Sequence, residues 1–200
     1  MAFNEERAPL LKGFWREKVF NAPDSRPMDL EIGTGNGTYF AHQALACPER
    51  LLIGIEIKYK PLIQSIRRAL KGGATNAAIC RFHALNISEL FAQGELNNIF
   101  IHFPDPWTTP RKPKNRFVCA NVLNQLYEMQ KPGSFINFKT DSREYFEWSL
   151  EEIKQTKYEL VGLTWDLHHT MWNEGNYITQ FEGIFLRQSM PIHFVRLYRR

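Results

Sequence analysis

The sequence predicts an α/β fold: a mostly parallel sheet with helices on both faces and an antiparallel closing strand. From Pro27 onward, short apolar runs alternate with amphipathic helical patterns, which is typical of a wound sheet. The first run enters a glycine-rich turn that leads into a helix, and the second run ends in an acidic residue, Glu56. This order of strand, turn and helix predicts parallel strands joined by crossover helices.

Seven apolar runs predict the strands. The first ends at Ile32, and the others cover 51–56, 77–82, 97–103, 135–138, 158–165 and 192–198. Helical patterns cover 38–46, 61–70, 116–129, 142–154 and 179–188, and a short helical turn starts at Asn86. The first helix stops before Pro48 and the second is closed by Gly72, which are ordinary signals for a helix end.

Residues 27–200 are expected to form one domain, because 200 residues bury one full core and are too few for two ordinary domains. Residues 1–26 precede this domain and place basic side chains beside aromatic ones, as in Trp15 and Arg16. Two interpretations of this segment stay open: a basic arm that reaches nucleic acid, and a helix packed on the flank of the domain.

The composition excludes several classes of protein. Hydrophobic residues make up 44% of the chain, but no run approaches the roughly 20 apolar residues that span a bilayer. The first residues lack the apolar core of a signal peptide, so we expect a cytoplasmic protein. The three cysteines are scattered and the six histidines have no ligand spacing, so we expect neither a redox pair nor a metal site.

The stretch 29–37 is the strongest local signal for a ligand. Glu31 precedes three glycines at alternate positions, which are Gly33, Gly35 and Gly37. Such glycines let the backbone bend tightly and approach a ligand. A dinucleotide-binding turn would have its third glycine one residue later, and an acidic residue before the turn would repel a pyrophosphate. The pattern instead suits S-adenosylmethionine, whose amino-acid end is cationic, with Glu56 at the spacing that accepts from ribose hydroxyls.

Ligands of wound sheets bind beyond the carboxyl ends of the strands. The residues that follow successive predicted strands are the Gly33 turn, Glu56, Asn86, Asp105 and Asp141. We therefore expect all of them at one edge of the sheet.

Asp105 lies between two prolines, which stiffen the backbone on both sides and hold the carboxylate in place. Trp107 follows, and no acidic residue occurs between Asp105 and Glu128. The cations of this segment are Arg111, Lys112, Lys114 and Arg116, and further arginines close the chain at Arg187, Arg196, Arg199 and Arg200. Basic side chains beside an exposed aromatic ring suit a phosphate backbone and a stacked base.

These motifs resemble those of the bacterial tRNA (guanine-N7)-methyltransferases. The resemblance rests on Phe-Pro-Asp-Pro-Trp at 103–107, the glycine turn at 31–37, Gly-Ile-Glu at 54–56, Thr-Asp at 140–141 and Thr-Gln-Phe-Glu at 179–182. It covers nearly all of the chain from Asp29 onward. It implies a Rossmann-like class I methyltransferase with a seven-stranded sheet, which transfers the methyl group of S-adenosylmethionine to N7 of a guanine in the variable loop of tRNA.

The resemblance also implies roles for particular residues. Asp105 would be catalytic. The cofactor would be bound by Glu31, Gly33, Gly35, Gly37, Glu56, Asn86 and Asp105. The tRNA would be bound by Thr109, Arg111, Asp141, Thr179, Gln180, Phe181 and Glu182. Asn86 stands where the family often has aspartate, and an amide can still hydrogen-bond an adenine.

Three other functions stay open: a methyltransferase acting on another RNA, a small molecule or a protein; a nicotinamide-dependent reductase; and a non-catalytic RNA-binding domain. Binding of S-adenosylmethionine would separate the first from the other two. We expect tRNA as the partner and no membrane. The oligomeric state is open, with a monomer favoured.

Overall fold

A computed structural model of the protein describes residues 1–107 and 115–200. Within them the strands are β1 (Ala2–Phe3), β2 (Met28–Ile32), β3 (Leu51–Glu56), β4 (Ala77–Arg81), β5 (Ile99–His102), β6 (Ser134–Thr140), β7 (Glu159–Thr164) and β8 (His193–Arg199). The α-helices are α1 (Thr38–Ala46), α2 (Tyr59–Lys71), α3 (Ala120–Met129), α4 (Arg143–Ile153) and α5 (Gln180–Arg187). Shorter helical turns cover Ala8–Leu11, Trp15–Val19, Ala84–Glu89, Leu167–His169 and Met171–Asn173.

All eight strands form one sheet in the order β1-β4-β3-β2-β5-β6-β8-β7. Strand β8 runs antiparallel to both neighbours, and the other pairings are parallel. The predicted α/β class and its antiparallel closing strand are therefore confirmed. The predicted count of seven strands is wrong, because Ala2–Phe3 adds a parallel edge strand beside Ile79 and Cys80. A strand of two residues has no periodic pattern to reveal it.

Several predicted boundaries differ from the observed ones, as one strand and one helix illustrate. The strand predicted at 97–103 covers only Ile99–His102, since the side-chain oxygens of Asn97 and Asn98 accept hydrogen bonds from Met28 N–H and Phe135 N–H. The helix predicted at 116–129 starts at Ala120, with Cys119 as its N-cap residue.

The two faces of the central strands differ in chemistry. One face, called here the apolar face, packs under α3 and α4; its central members are Leu30, Ile32, Ile99, Ile101, Ile136, Phe138, Val195 and Leu197. The opposite face, called here the polar face, carries Asp29, Glu31, His102, Asn137, Lys139 and Arg196. Because successive side chains of a strand point to opposite faces, the same strands supply both sets.

The polar face lies under α1 and the segment 172–177. A cavity of about 300 Å³ separates them, and His102, Lys139 and Arg196 contribute to its walls. The rings of His42 and Tyr177 stack at 4.1 Å and join α1 to the segment. Further along the same face, α1 and α2 pack on β3 and β4 through a small apolar cluster that includes Phe40 and Leu62.

Residues 1–26 pack on the apolar side of the domain. Trp15 is fully buried, its ring lies against Phe3 and Phe91, and its indole N–H donates to Leu90 O. Arg16 is also buried and donates to Arg26 O. In the described part of the chain, no helix has both the length and the apolar character needed to cross a bilayer.

Candidate active site

The glycine turn is clamped between β3 and α2. Gly33 N–H and Thr34 N–H both donate to Ile55 O, and Gly35 N–H donates to the Glu56 carboxylate at 2.9 Å. From α2, the Ser65 hydroxyl donates to Gly35 O at 2.9 Å. The turn is therefore fixed at the carboxyl ends of β2 and β3, where the sequence predicts the cofactor.

The three glycines of the turn serve two different purposes. All three have positive φ, a backbone region that glycine adopts without steric cost. A Cβ at Gly33 or Gly35 would meet no atom of the described residues within 4 Å, so both face space that these residues leave open. A Cβ at Gly37 would lie 2.4 Å from Ser65 Cα, so Gly37 permits close packing of the turn on α2. Only the first two glycines leave their backbone open to a ligand.

Glu31 is a buried carboxylate with an unsatisfied oxygen. Its side chain is 2% exposed, and Oε2 has no hydrogen-bond partner among the described residues. Burial raises its pKa well above the ordinary value, against the opposing effect of Lys139. The other oxygen lies 3.9 Å from His102 Nδ1, which also has no hydrogen-bond partner in the part of the chain that the structure describes. Burial lowers the pKa of His102 well below its ordinary value, so this ring stays neutral and does not compensate the carboxylate.

Glu56, at the end of β3, has hydrogen bonds to both carboxylate oxygens, unlike Glu31. One oxygen accepts from Gly35 N–H and the other from Lys58 N–H at 2.8 Å. Each carboxylate oxygen can accept a second hydrogen bond, so Glu56 keeps acceptor capacity toward a ligand.

Lys139 and Glu182 form the centre of a buried network on the polar face. Lys139 Nζ donates to Glu182 Oε2 at 2.6 Å, and both side chains are almost fully buried. His168 Nε2 lies 2.9 Å from Glu182 Oε1, and Asn176 Nδ2 donates to the same oxygen at 2.8 Å. Lys139 also donates to Asn176 Oδ1 and Tyr177 O, so it fixes the segment over the polar face.

The predicted substrate segment 179–182 forms the start of α5. Thr179 and Glu182 make a capping box, in which each side chain accepts from the backbone N–H of the other. Glu182 is fully buried in the network above, so it positions α5 and is not exposed to a macromolecule. Gln180 accepts a hydrogen bond from the Asn36 amide, which joins α5 to the glycine turn, and Phe181 is 55% exposed.

The segment 103–107 turns sharply at the end of β5. Phe103 and Trp107 have positive φ, which is uncommon for large side chains and marks a constrained loop. Phe103 N–H donates to Lys139 O, and Pro106 O accepts from Arg116. Arg116 is 2% exposed and also pairs with Glu144, so it holds this loop from inside. Asp105 is exposed at the tip.

The remaining predicted site residues are not joined to the glycine turn as Glu56 and Gln180 are. Asp141 follows β6 and is half-buried, and burial raises its pKa. Asn86 is exposed in the helical turn after β4. Within the described residues, no hydrogen bond connects Asn86, Asp105 or Asp141 to the glycine turn. The predicted contacts of Thr109 and Arg111 lie outside the described residues.

Sequence reasoning missed His102 and Lys139. The signal that could have found them is the period of two along the strands, since polar residues recur at alternate positions of apolar runs, as in Asn137 and Lys139. Among the described residues, no cluster of three or more histidine, cysteine or acidic side chains is placed to hold a metal ion.

The arrangement can bind a compact cation next to an exposed turn. An unpaired buried carboxylate oxygen, two open glycines and the spare acceptors of Glu56 match a positively charged amino acid joined to a sugar. Beyond the same edge, Asp105 and Phe181 offer an exposed carboxylate and an exposed ring to a second molecule.

Comparisons with known proteins agree with this geometry. The family described as "Putative methyltransferase" matches residues 25–195. A tRNA (guanine-N(7)-)-methyltransferase of Bdellovibrio bacteriovorus is 59% identical over 100% of this chain and 95% of its own. One of the same name from Lachnoclostridium phytofermentans is 32% identical over 94% of this chain and 86% of its own.

Solved structures support the fold. A 16S rRNA (adenine(1408)-N(1))-methyltransferase from Catenulisporales acidiphilia superposes with a TM-score of 0.59 at 16% identity, covering 88% of this chain and 90% of its own. An rRNA methylase from Streptococcus thermophilus gives a TM-score of 0.60 at 13% identity, covering 88% of both chains. The fold is thus that of these methyltransferases. The family model and the two relatives show that the chain belongs to the tRNA (guanine-N7)-methyltransferase family.

Proposed function

We propose that the protein transfers the methyl group of S-adenosylmethionine to N7 of guanine 46, in the variable loop of tRNA. The proposal rests on Glu31 Oε2, which has no hydrogen-bond partner among the described residues and belongs to the strand that enters the open turn of Gly33 and Gly35. A buried carboxylate without a partner is costly, and the cofactor ammonium group would compensate it. The names of the two relatives support tRNA as the substrate and guanine N7 as the acceptor atom.

S-adenosylmethionine, when bound, supplies an electrophilic methyl group on a sulfonium. Guanine N7 has a free lone pair, so the site needs no base to remove a proton before attack. The protein must therefore orient the guanine and stabilise positive charge on the purine. Asp105 is suited to this task because its carboxylate is exposed on a constrained loop. Asp105 or Asp141 would accept from the Watson–Crick edge of guanine, which leaves N7 free and rejects adenine.

The remaining predicted residues take supporting roles in this proposal. Glu56 accepts hydrogen bonds from the ribose hydroxyls. The Asn86 amide donates a hydrogen bond to the adenine or accepts one from it. The tRNA contacts Thr109, Arg111, Gln180 and Phe181, while Thr179 and Glu182 fix the start of α5. The base is pulled from its stack onto an aromatic side chain, for which Phe181 and Trp107 are the candidates. We place the protein in the cytoplasm and expect it to act as a monomer.

The test is methyl transfer from labelled S-adenosylmethionine to an unmodified tRNA transcript, with N7-methylguanine mapped by its selective strand cleavage. The proposal expects label at one variable-loop guanine and none in a matched transcript with adenine at that position. Cofactor binding without RNA labelling would overturn the tRNA assignment and favour another acceptor. If the protein neither binds the cofactor nor labels the RNA, a non-catalytic RNA-binding domain would be favoured.

A further inference from the structure

The longest stretch of this sequence without an acidic residue lies between Glu56 and Glu89. It contains six cations, which are Lys58, Lys60, Arg67, Arg68, Lys71 and Arg81. Four of them belong to α2, and all four are exposed. The helix buries its opposite side through Leu62, Ser65 and Ala69.

The four cations of α2 lie on one side of the helix. Together with Gln64 they occupy positions 60, 64, 67, 68 and 71, a spacing of three and four residues that brings side chains onto one face. These five residues are called here the α2 stripe. Across 1–107 and 115–200, no carboxylate forms an ion pair with any cation of the stripe.

Several other cations of the described chain already have partners within the fold. Arg116 and Lys139 are buried in ion pairs, and Arg200 pairs with Glu159. Arg196 lies over the rings of Phe135 and Trp172, inside the fold. The α2 stripe is therefore a concentration of exposed positive charge that forms no ion pair within the described residues.

The stripe continues into the wall of the candidate active site. Arg67, Arg68 and Lys71 line a cavity of about 390 Å³ whose other lining residues are Asn36, Gln64 and Gln180. Arg68 donates to Asn36 O in the glycine turn at 3.2 Å. The described residues of this lining are cations and amides, with no acidic side chain among them, a chemistry that suits phosphate oxygens.

We propose that the α2 stripe binds the sugar-phosphate backbone of the tRNA and leads it past Asn36 and Gln180 to the methylation site. The inference rests on the proposed function, since it assigns a binding surface to the same substrate. RNA fits better than an acidic protein, because the stripe adjoins the site and presents regularly spaced cations to a regularly spaced polyanion.

The test compares two double variants that remove equal charge. Arg67→Gln/Lys71→Gln removes two of the four cations of the stripe and leaves the Arg68 contact to the glycine turn in place. The control, Lys154→Gln/Lys157→Gln, removes two exposed cations just before β7, at the opposite edge of the sheet. For each protein, tRNA binding is measured across salt concentrations, and KM for tRNA is measured separately from kcat.

The stripe variant should raise KM for tRNA about 10-fold and reduce the salt slope of binding by about 2, with kcat at saturating tRNA and cofactor affinity unchanged. The charge-conserving Arg67→Lys/Lys71→Arg variant should restore the wild-type slope. The control should match the wild type. Equal weakening by both double variants, or an unchanged slope in the stripe variant, would overturn the inference.

Failure of the proposed function gives a different result. If the wild-type protein binds tRNA with a slope that depends on the stripe but transfers no methyl group, the binding surface stands and the reaction assignment falls. If methylation proceeds and the stripe variant behaves as wild type, the reaction stands and the surface falls.

Discussion

The two faces of the central sheet are built from the same strands but have opposite energetic roles. On the apolar face, residues such as Leu30, Ile136 and Phe138 are fully buried under α3 and α4. Each such side chain contributes about 1.5–3 kcal/mol of stability by leaving water. On the polar face, Glu31 and Lys139 are buried just as deeply, where desolvation opposes their charged forms.

This difference indicates which face carries the function. A buried charge is retained at a cost, and the cost is concentrated where strands β2, β5 and β6 end beside the glycine turn. The apolar face holds the domain together, while the polar face fixes α5 and leaves one carboxylate oxygen unpaired for a ligand. Substitutions on the apolar face should therefore change stability, whereas substitutions on the polar face should also change ligand binding.

The largest effect is expected from Lys139→Met. The change leaves Glu182 buried without its cation, so we expect the free energy of unfolding to fall by about 3–5 kcal/mol, measured by urea denaturation. The double variant Lys139→Met/Glu182→Gln removes both charges and should be more stable than the single variant. A loss below about 1 kcal/mol for Lys139→Met would show that the pair is not a structural centre of the polar face.

Asp105→Asn should separate rate from stability. Because Asp105 is exposed, we expect an unchanged melting temperature, but the methylation rate should fall about 100-fold through loss of the carboxylate charge. Asp24→Asn, at another exposed aspartate, is the matched control and should retain full rate. Steady-state rates and thermal melts of both variants test this, and an unimpaired Asp105→Asn would remove Asp105 from the mechanism.

Gly37→Ala should destabilise the protein more than Gly73→Ala. Both glycines have positive φ, but only Gly37 would bring its new Cβ against a backbone atom, Ser65 Cα. We expect about 1 kcal/mol for the φ effect alone at Gly73 and at least about 2 kcal/mol at Gly37. Equal losses in urea denaturation would mean that the turn moves away from α2 without cost.

Much of the fold follows from the sequence because its signals are local. The helix over 38–46 was predicted with its observed bounds, and the parallel strands were predicted from their alternation with helices. The edge strand at Ala2–Phe3 was not, since two residues pair with β4 only through the completed tertiary structure. The start of α3 was misplaced because Arg116 is engaged by Pro106 and Glu144, which the sequence does not bring near.

The candidate site was predictable in part for the same reason. Glu31, Glu56 and the glycines could be identified from their spacing along the chain. The partnership of Lys139 with Glu182 depends on where α5 lies, and the separate role of Gly37 depends on the position of α2. Identifying the basic α2 stripe required two observations: the acid-free run in the sequence, and the ion pairs that other cations form in the structure.

The most direct test of the account is calorimetric binding of S-adenosylmethionine to the wild type and to Glu31→Gln across pH. The raised pKa of Glu31 means that the free protein loses stability as pH rises from the ordinary value of that pKa through the raised one, because the buried carboxyl ionises. A bound cation favours the ionised form, so wild-type affinity should increase over that window with release of a proton. Glu31→Gln should abolish this proton release and bind at least about 10-fold more weakly, while gaining stability at neutral pH because no buried carboxyl has to ionise there. Equal affinity and equal proton release in the two proteins would contradict the assignment of Glu31 as the cofactor's carboxylate partner.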